Sequence, residues 1–274
     1  ILLTKKKPPT FKSIKVMKLK ELYDASPFGM ISSFFYGTIQ SALFTLLAVY
    51  ATSMNFTILE ISIVTFLLAI SGAIAQFPIG KISDMYDRRK VIVFSTFGAA
   101  IFSILAILVS RQMYLPEGLA TSKTWFYIFF ILFSFCSLPM FSLILAHTND
   151  YISRDKFVAA GAGLQFVFGL GAISGPFLCS IFMDLVGSNG FFIFLFFFHS
   201  VIGFFGIYRM KVRKTVDNPD SQFVAMPQTI TPAGIELNPT TEHIEEPYSD
   251  KVKEILERKG VKYKKEEIKN DKSN

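Results

Sequence analysis

The chain has 274 residues, a mass of 30.8 kDa, a formal net charge of +7 and 51% hydrophobic residues, 31 Phe among them, with only 18% charged. Between Phe28 and Tyr208 just 15 of 181 residues are charged, too few for a water-facing surface when soluble domains carry about 25%. This excludes an ordinary soluble enzyme and predicts an all-α, polytopic membrane protein.

Residues 1–27 form a basic linker with Pro8-Pro9 and seven lysines. Ile1-Leu2-Leu3 ahead of Lys5-Lys6-Lys7 reads as the cytoplasmic end of an earlier apolar helix. The chain is therefore expected to be a fragment of a longer protein or a truncated reading frame. A short amphipathic helix is expected around Ile14–Leu22. Residues 28–210 make a bundle of six apolar runs, at 28–50, 61–80, 91–110, 125–146, 159–183 and 190–208. A helix of about 20 residues crosses the hydrocarbon core. The runs show no period-2 alternation, which argues against a β-barrel. Residues 211–274 form a polar cytoplasmic tail with five prolines, expected to be largely disordered, with a short helix at Ser249–Lys259.

Basic residues set the orientation. One side of the six runs collects 17 of them and the other only Arg111 and Lys123. The positive-inside rule then puts both termini in the cytoplasm, with the lipid bilayer as the first partner. The same placement explains the high net charge without nucleic acid. Cys136 and Cys179 fall inside apolar runs and read as buried hydrophobes.

The second run ends in Gly80-Lys81-Ile82-Ser83-Asp84-Met85-Tyr86-Asp87-Arg88-Arg89-Lys90. Gly80 permits a tight turn and close helix approach. Asp84 suits the N–H groups at a neighbouring helix N-terminus, and Arg88 and Arg89 suit carboxylates or lipid phosphate. A stop-transfer cluster that only fixes topology is the plainer alternative. A Gly, an Asp four residues on, and then Asp-Arg-Arg-Lys between two spans resembles the signature loop of the major facilitator superfamily. Met85 stands where that loop usually has a basic residue, and Asp87 where Gly is frequent. Further likeness, to its YcaD-like branch, lies in Ala48-Val49-Tyr50-Ala51, Gln76-Phe77-Pro78-Ile79-Gly80, Ala146-His147-Thr148-Asn149-Asp150, the stretch Gly169 to Pro176, and Tyr208-Arg209-Met210.

The resemblance covers roughly residues 20–245 and is to the C-terminal six-helix half of a twelve-helix transporter. It implies a small-solute site between two pseudo-symmetric halves, a missing N-terminal half or second copy as partner, and a bacterial inner membrane. Gly80, Asp84, Asp87, Arg88, Arg89 and Lys90 become a cytoplasmic gating motif. His147, Asn149, Asp150 and Arg154, at the cytoplasmic end of the fourth run, become a second gate. The resemblance also puts the first, second, fourth and fifth helices of the half at the central cavity.

Ser33, Tyr36, Gln40 and Phe44 share one face of the first run. Such a stripe either lines a wet cavity or hydrogen-bonds a neighbouring helix. With Gln76, Ser134, Ser137, Phe141 and Gln165 they form the candidate cavity set. Pro139 breaks the fourth helix ladder. Gly169, Gly171, Gly175 and Pro176 are packing or hinge positions, resembling the Gly-Pro motif of antiporter-type members.

Inside the six runs there is no Asp, Glu, Lys or Arg. If the family couples to protons, the carboxylate belongs to the missing half. No metal-ligand cluster, cofactor motif, Gly-x-Ser-x-Gly elbow or His-Glu-x-x-His pair is present, which weighs against an enzyme. The expected function is secondary active transport by alternating access. The alternative is a non-transporting scaffold or orphan half-transporter acting with a partner chain.

Overall fold

A computed structural model describes residues 17–112, 119–153 and 156–213, with Phe223 and Ala225. The chain divides into two units, Ile1–Thr241 and Glu242–Asn274, and the second lies outside the described residues. Among the described residues there are eight helices and no strand: α1 (Leu19–Ala25), α2 (Pro27–Ser53), α3 (Ile58–Met85), α4 (Arg88–Gln112), α5 (Leu119–Ser137), α6 (Met140–Asn149), α7 (Phe157–Val186) and α8 (Gly190–Val212).

Helix starts follow local chemistry. Ser26 caps α2 by accepting the Gly29 N–H at 3.2 Å, with Pro27 at the first helical position where no N–H is needed. Thr57 and Glu60 form a reciprocal capping box on α3, with bonds of 2.8 and 3.3 Å. Asp87 accepts the Arg89 N–H at 3.0 Å and so starts α4.

Six segments are long and apolar enough to span a bilayer: Pro27–Ser53, Ile58–Met85, Arg88–Arg111, Ser122–Asn149, Phe157–Val186 and Gly190–Val212. They coincide with the six predicted runs but are longer, because helix continues into polar flanks once nucleated. The fourth span is α5 and α6 in series, interrupted at Leu138-Pro139. Of the helix expected at Ile14–Leu22, residues 14–16 lie outside the described residues, Met17 and Lys18 are not helical, and the helix found runs from Leu19 to Ala25. The tail helix expected at Ser249–Lys259 lies outside the described residues.

Helix α2 sits centrally against α7, α8 and α6, α4 packs on α8 and α5, and α3 leans on α5. Helices α3 and α7 are the edges. Only 28% of the apolar stretch of each is buried in the bundle, against 50–67% for the other four. The α2–α7 crossing depends on glycine. A Cβ on Gly37 would strike the Phe168 carbonyl, one on Gly171 the Phe34 carbonyl, and one on Gly175 the Thr38 carbonyl. Ser33 Oγ donates to Leu164 O at 2.9 Å and Thr38 Oγ1 to Gly171 O at 3.1 Å, so hydroxyls fasten the close approach. Where α2 ends and α8 begins, rings interlock: Tyr50 lies 5.1 Å from Phe191 and 5.0 Å from Phe192, and Phe126 stacks on Phe130.

Candidate functional site

The charged segment Asp84–Arg89, at the junction of α3 and α4, gathers a network of ion pairs and hydrogen bonds. The predicted tight turn at Gly80 is not found. Helix α3 runs through Gly80 to Met85, and the chain reverses at Tyr86, whose backbone is extended (φ −126°, ψ 167°). The cause is local: Tyr86 N–H still closes the last helical turn on Ile82 O at 3.1 Å, while the Asp87 cap begins the next helix. Gly80 serves close approach instead, and what approaches is the ring of Phe223.

Arg88 is the centre. Its side chain is 7% exposed, and it binds Asp84 (Nη2 to Oδ1, 2.9 Å) and Asp150 (Nε to Oδ2, 3.2 Å). One guanidinium thus ties the end of α3 and the start of α4 to the end of α6. The Asp150 side chain is 13% exposed and the Asp84 side chain 37%. Beside it, Arg89 meets Asp87 through two bonds, Nε to Oδ1 at 3.1 Å and Nη2 to Oδ2 at 2.8 Å. Arg89 Nη1 also donates to Arg213 O at 2.6 Å, and Arg213 Nη1 donates to Ala25 O at 2.7 Å. Arg213 lies 4.2 Å over the Tyr151 ring. Burial pushes the Tyr151 phenol pKa up. Lys90 is exposed.

The first predicted gate and the second therefore meet, through Asp150. His147 is buried, with its ring edge-on to Phe28 at 5.2 Å and to Tyr151 at 5.1 Å. Asn149 is buried, and its Oδ1 has no partner among the described residues. Arg154 lies outside them. Lys156 pairs with Glu21 of α1 at 2.6 Å. A cavity of about 10 Å³, room for roughly one water, opens between Phe28, Arg89, His147 and Arg213. Among the described residues no three His, Cys, Asp or Glu side chains gather to hold a metal.

The candidate cavity residues divide. Ser33 and Tyr36 bond neighbouring helices, Tyr36 by donating to Leu138 O at 3.1 Å. Ser134 donates to Phe130 O within its own helix at 2.7 Å, and Phe141 packs on Phe168 at 5.4 Å. Ser137 meets His199 Nε2 at 2.9 Å, while His199 Nδ1 lies 2.7 Å from Leu195 O. That carbonyl requires the Nδ1 proton, so Ser137 is the donor to Nε2. Gln40 is 5% exposed, and neither its Oε1 nor its Nε2 has a partner among the described residues. Phe44 is 52% exposed, and Gln76 and Gln165 are half-buried. Among the hinge positions, Gly171 and Gly175 sit in the tight crossing, Gly169 faces open space, and α7 continues through Pro176. Tyr36 and His199 brace the Leu138-Pro139 interruption.

Sequence reasoning placed Arg88 and Asp150 in separate gates. Their spacing of 62 residues carries no periodic signal. Thr38 and Arg213 were not singled out as individual working residues. The small residues spaced four apart on α2 and α7 were the available sign for Thr38.

The Major Facilitator Superfamily model matches residues 29–256. Among curated proteins the chain is similar to the uncharacterized MFS-type transporter YfkF of Bacillus subtilis, at 27% identity over 184 residues, covering 64% of this chain and 43% of the relative. It is similar to YE1530 of Yersinia enterocolitica, likewise named an uncharacterized MFS-type transporter, at 26% over 190 residues, 69% of this chain and 44% of that one. An archaeal relative with the same type of name, MJ1560 of Methanocaldococcus jannaschii, is 25% identical over 143 residues, 52% and 34% of the two chains. The match spans less than half the length of each of these relatives. No solved structure matches significantly.

Proposed function

The chain belongs to the Major Facilitator Superfamily, and we propose that it is the C-terminal six-helix half of a YcaD-like secondary transporter, moving a small solute by alternating access. It is an integral membrane protein. The proposed address is a bacterial inner membrane with both termini cytoplasmic, supported by the 17-to-2 distribution of basic residues and by bacterial relatives. Half-transporter status is supported by relatives of more than twice the matched length and by α3 and α7, whose apolar edges suit a second six-helix unit.

The observation that carries the reading is Arg88 held by two carboxylates from different helices. Ion pairs of this kind close one end of a bundle and can exchange partners when it rocks. Asp84 is the more exposed partner, so it is the one that releases. The Gln40 amide, without a partner among the described residues, suits a solute's hydrogen bonds, and the lack of cationic or anionic side chains inside the six predicted apolar runs suits a solute without strong charge. The reading is of a transporter rather than an enzyme.

The test joins this chain to a matching N-terminal half and measures uptake of a solute panel in proteoliposomes. Asp84→Asn is expected to cut flux by roughly tenfold, about 1.4 kcal/mol at the barrier, with membrane insertion unchanged. Undiminished flux in Asp84→Asn would overturn the gating role. Absence of any flux in the joined protein would favour the scaffold reading.

A further inference from the structure

Beyond α8 the chain is polar, and between Tyr208 and Tyr248 it holds one Phe, Tyr or Trp: Phe223. That residue does not sit at random. Its ring covers Gly80 so closely that a Cβ there would fall within the ring's own van der Waals envelope. It is partly buried against the apolar core. Its backbone N–H donates to Asp84 Oδ1 at 2.8 Å. The same oxygen takes Arg88 Nη2 at 2.9 Å. Gly80 and Asp84 are one helical turn apart on α3, so the two contacts fall on one face. An aromatic ring and the amide of the same residue thus fill a two-part socket.

We propose that the end of α3 is a docking socket for the chain's own tail, and that Phe223 is a latch holding the Asp84–Arg88–Asp150 network closed. Two features make the socket selective. The missing side chain of Gly80 admits a flat ring, and any larger residue at position 80 excludes it. Asp84 accepts a backbone N–H, which only a chain segment with a free amide supplies. Reach is no obstacle. Arg213, the residue just past α8, is bonded to Arg89 beside the socket, and ten extended residues cover about 33 Å. By donating to Asp84, the Phe223 amide stabilises that carboxylate in the position where it grips Arg88. Opening this end then requires the tail to leave first. The latch is thereby a brake built into the polypeptide. It rests on the gating reading above, but the docking itself does not.

The test is hydrogen exchange of the full chain in nanodiscs, followed by mass spectrometry, with three single variants. In the unaltered chain the amide of Phe223 is expected to be protected. Gly80→Ala, which fills the socket, and Asp84→Ala, which removes the acceptor, should each speed exchange at residues 221–225 by about tenfold or more, as loss of a hydrogen bond to a charged group implies. Free exchange there in the unaltered chain, or protection surviving Gly80→Ala, would overturn the docking. Phe223→Ala should speed exchange over Ser83–Arg89 at least about threefold if the latch steadies the network. Unchanged exchange over those residues would overturn the brake while leaving the docking in place. Failure of the gating reading shows separately, as undiminished flux in Asp84→Asn.

Discussion

Arg88 has two carboxylate partners of unequal burial, and that inequality fixes a measurable order. Losing one partner of a buried pair costs about 3–5 kcal/mol when nothing else compensates the stranded charge. Asp150→Asn strips Arg88, 7% exposed, of its more buried carboxylate and keeps the half-exposed Asp84, so the penalty should be trimmed to about 2–3 kcal/mol. Asp84→Asn removes a pair open to water on one side, worth about 0.5–1 kcal/mol. For a chain of this size each kcal/mol shifts the melting temperature by about 2–4 °C. The expected drops are therefore about 4–12 °C for Asp150→Asn and about 1–4 °C for Asp84→Asn. Thermal unfolding in detergent can be followed through Trp125, the one tryptophan, which lies on α5 well along the chain from the cluster. Replacing Arg88 and Asp150 together by leucine should cost less than the two single changes added, because no buried charge is stranded. An equal or larger penalty for Asp84→Asn, or strict additivity in the double variant, would refute the assignment of Asp150 as the principal partner.

Two further outcomes are expected. Gly171→Ala drives a methyl into the Phe34 carbonyl and should lower the melting temperature by several degrees, whereas Gly169→Ala, facing open space, should leave it within about 1–2 °C of the parent or raise it slightly; equal effects would mean that α2 and α7 do not touch as described. Gln40→Leu removes a buried amide with no partner among the described residues and should stabilise the chain by about 1–3 kcal/mol while weakening solute uptake in the joined protein; an unchanged melting temperature would show that the amide is satisfied.

The spans were legible because a bilayer imposes length and apolarity on one contiguous stretch at a time, which is information a linear pattern holds. Helix ends were less so. Gly80 suggested a turn, yet the backbone ladder carried through to Met85, since glycine weakens a helix by only about 1 kcal/mol and the cap at Asp87 decides where the next one begins. The polar face of α2 left two readings open, wet cavity or helix fastening, and its members separate in space: Ser33 and Tyr36 fasten, while Gln40 stays without a partner among the described residues. The link from Arg88 to Asp150 and that from Phe223 to Gly80 join distant stretches of chain, and nothing in the spacing of either pair announces it. The proline break was visible, but the hydroxyl of Tyr36 and the imidazole of His199 that brace it come from two other helices.

The interlocked rings around Tyr50 and the shared guanidinium of Arg88 lie at opposite ends of the helices that carry them. Stacked rings lose their attraction as soon as they part, so they resist bending, whereas a half-exposed carboxylate such as Asp84 changes neighbours at small cost. In the alternating access proposed above, a six-helix unit made this way is expected to swing like a door, stiff along the hinge side and free at the handle. Under that proposal, widening and narrowing are expected where the arginines are, with the far side turning as a whole.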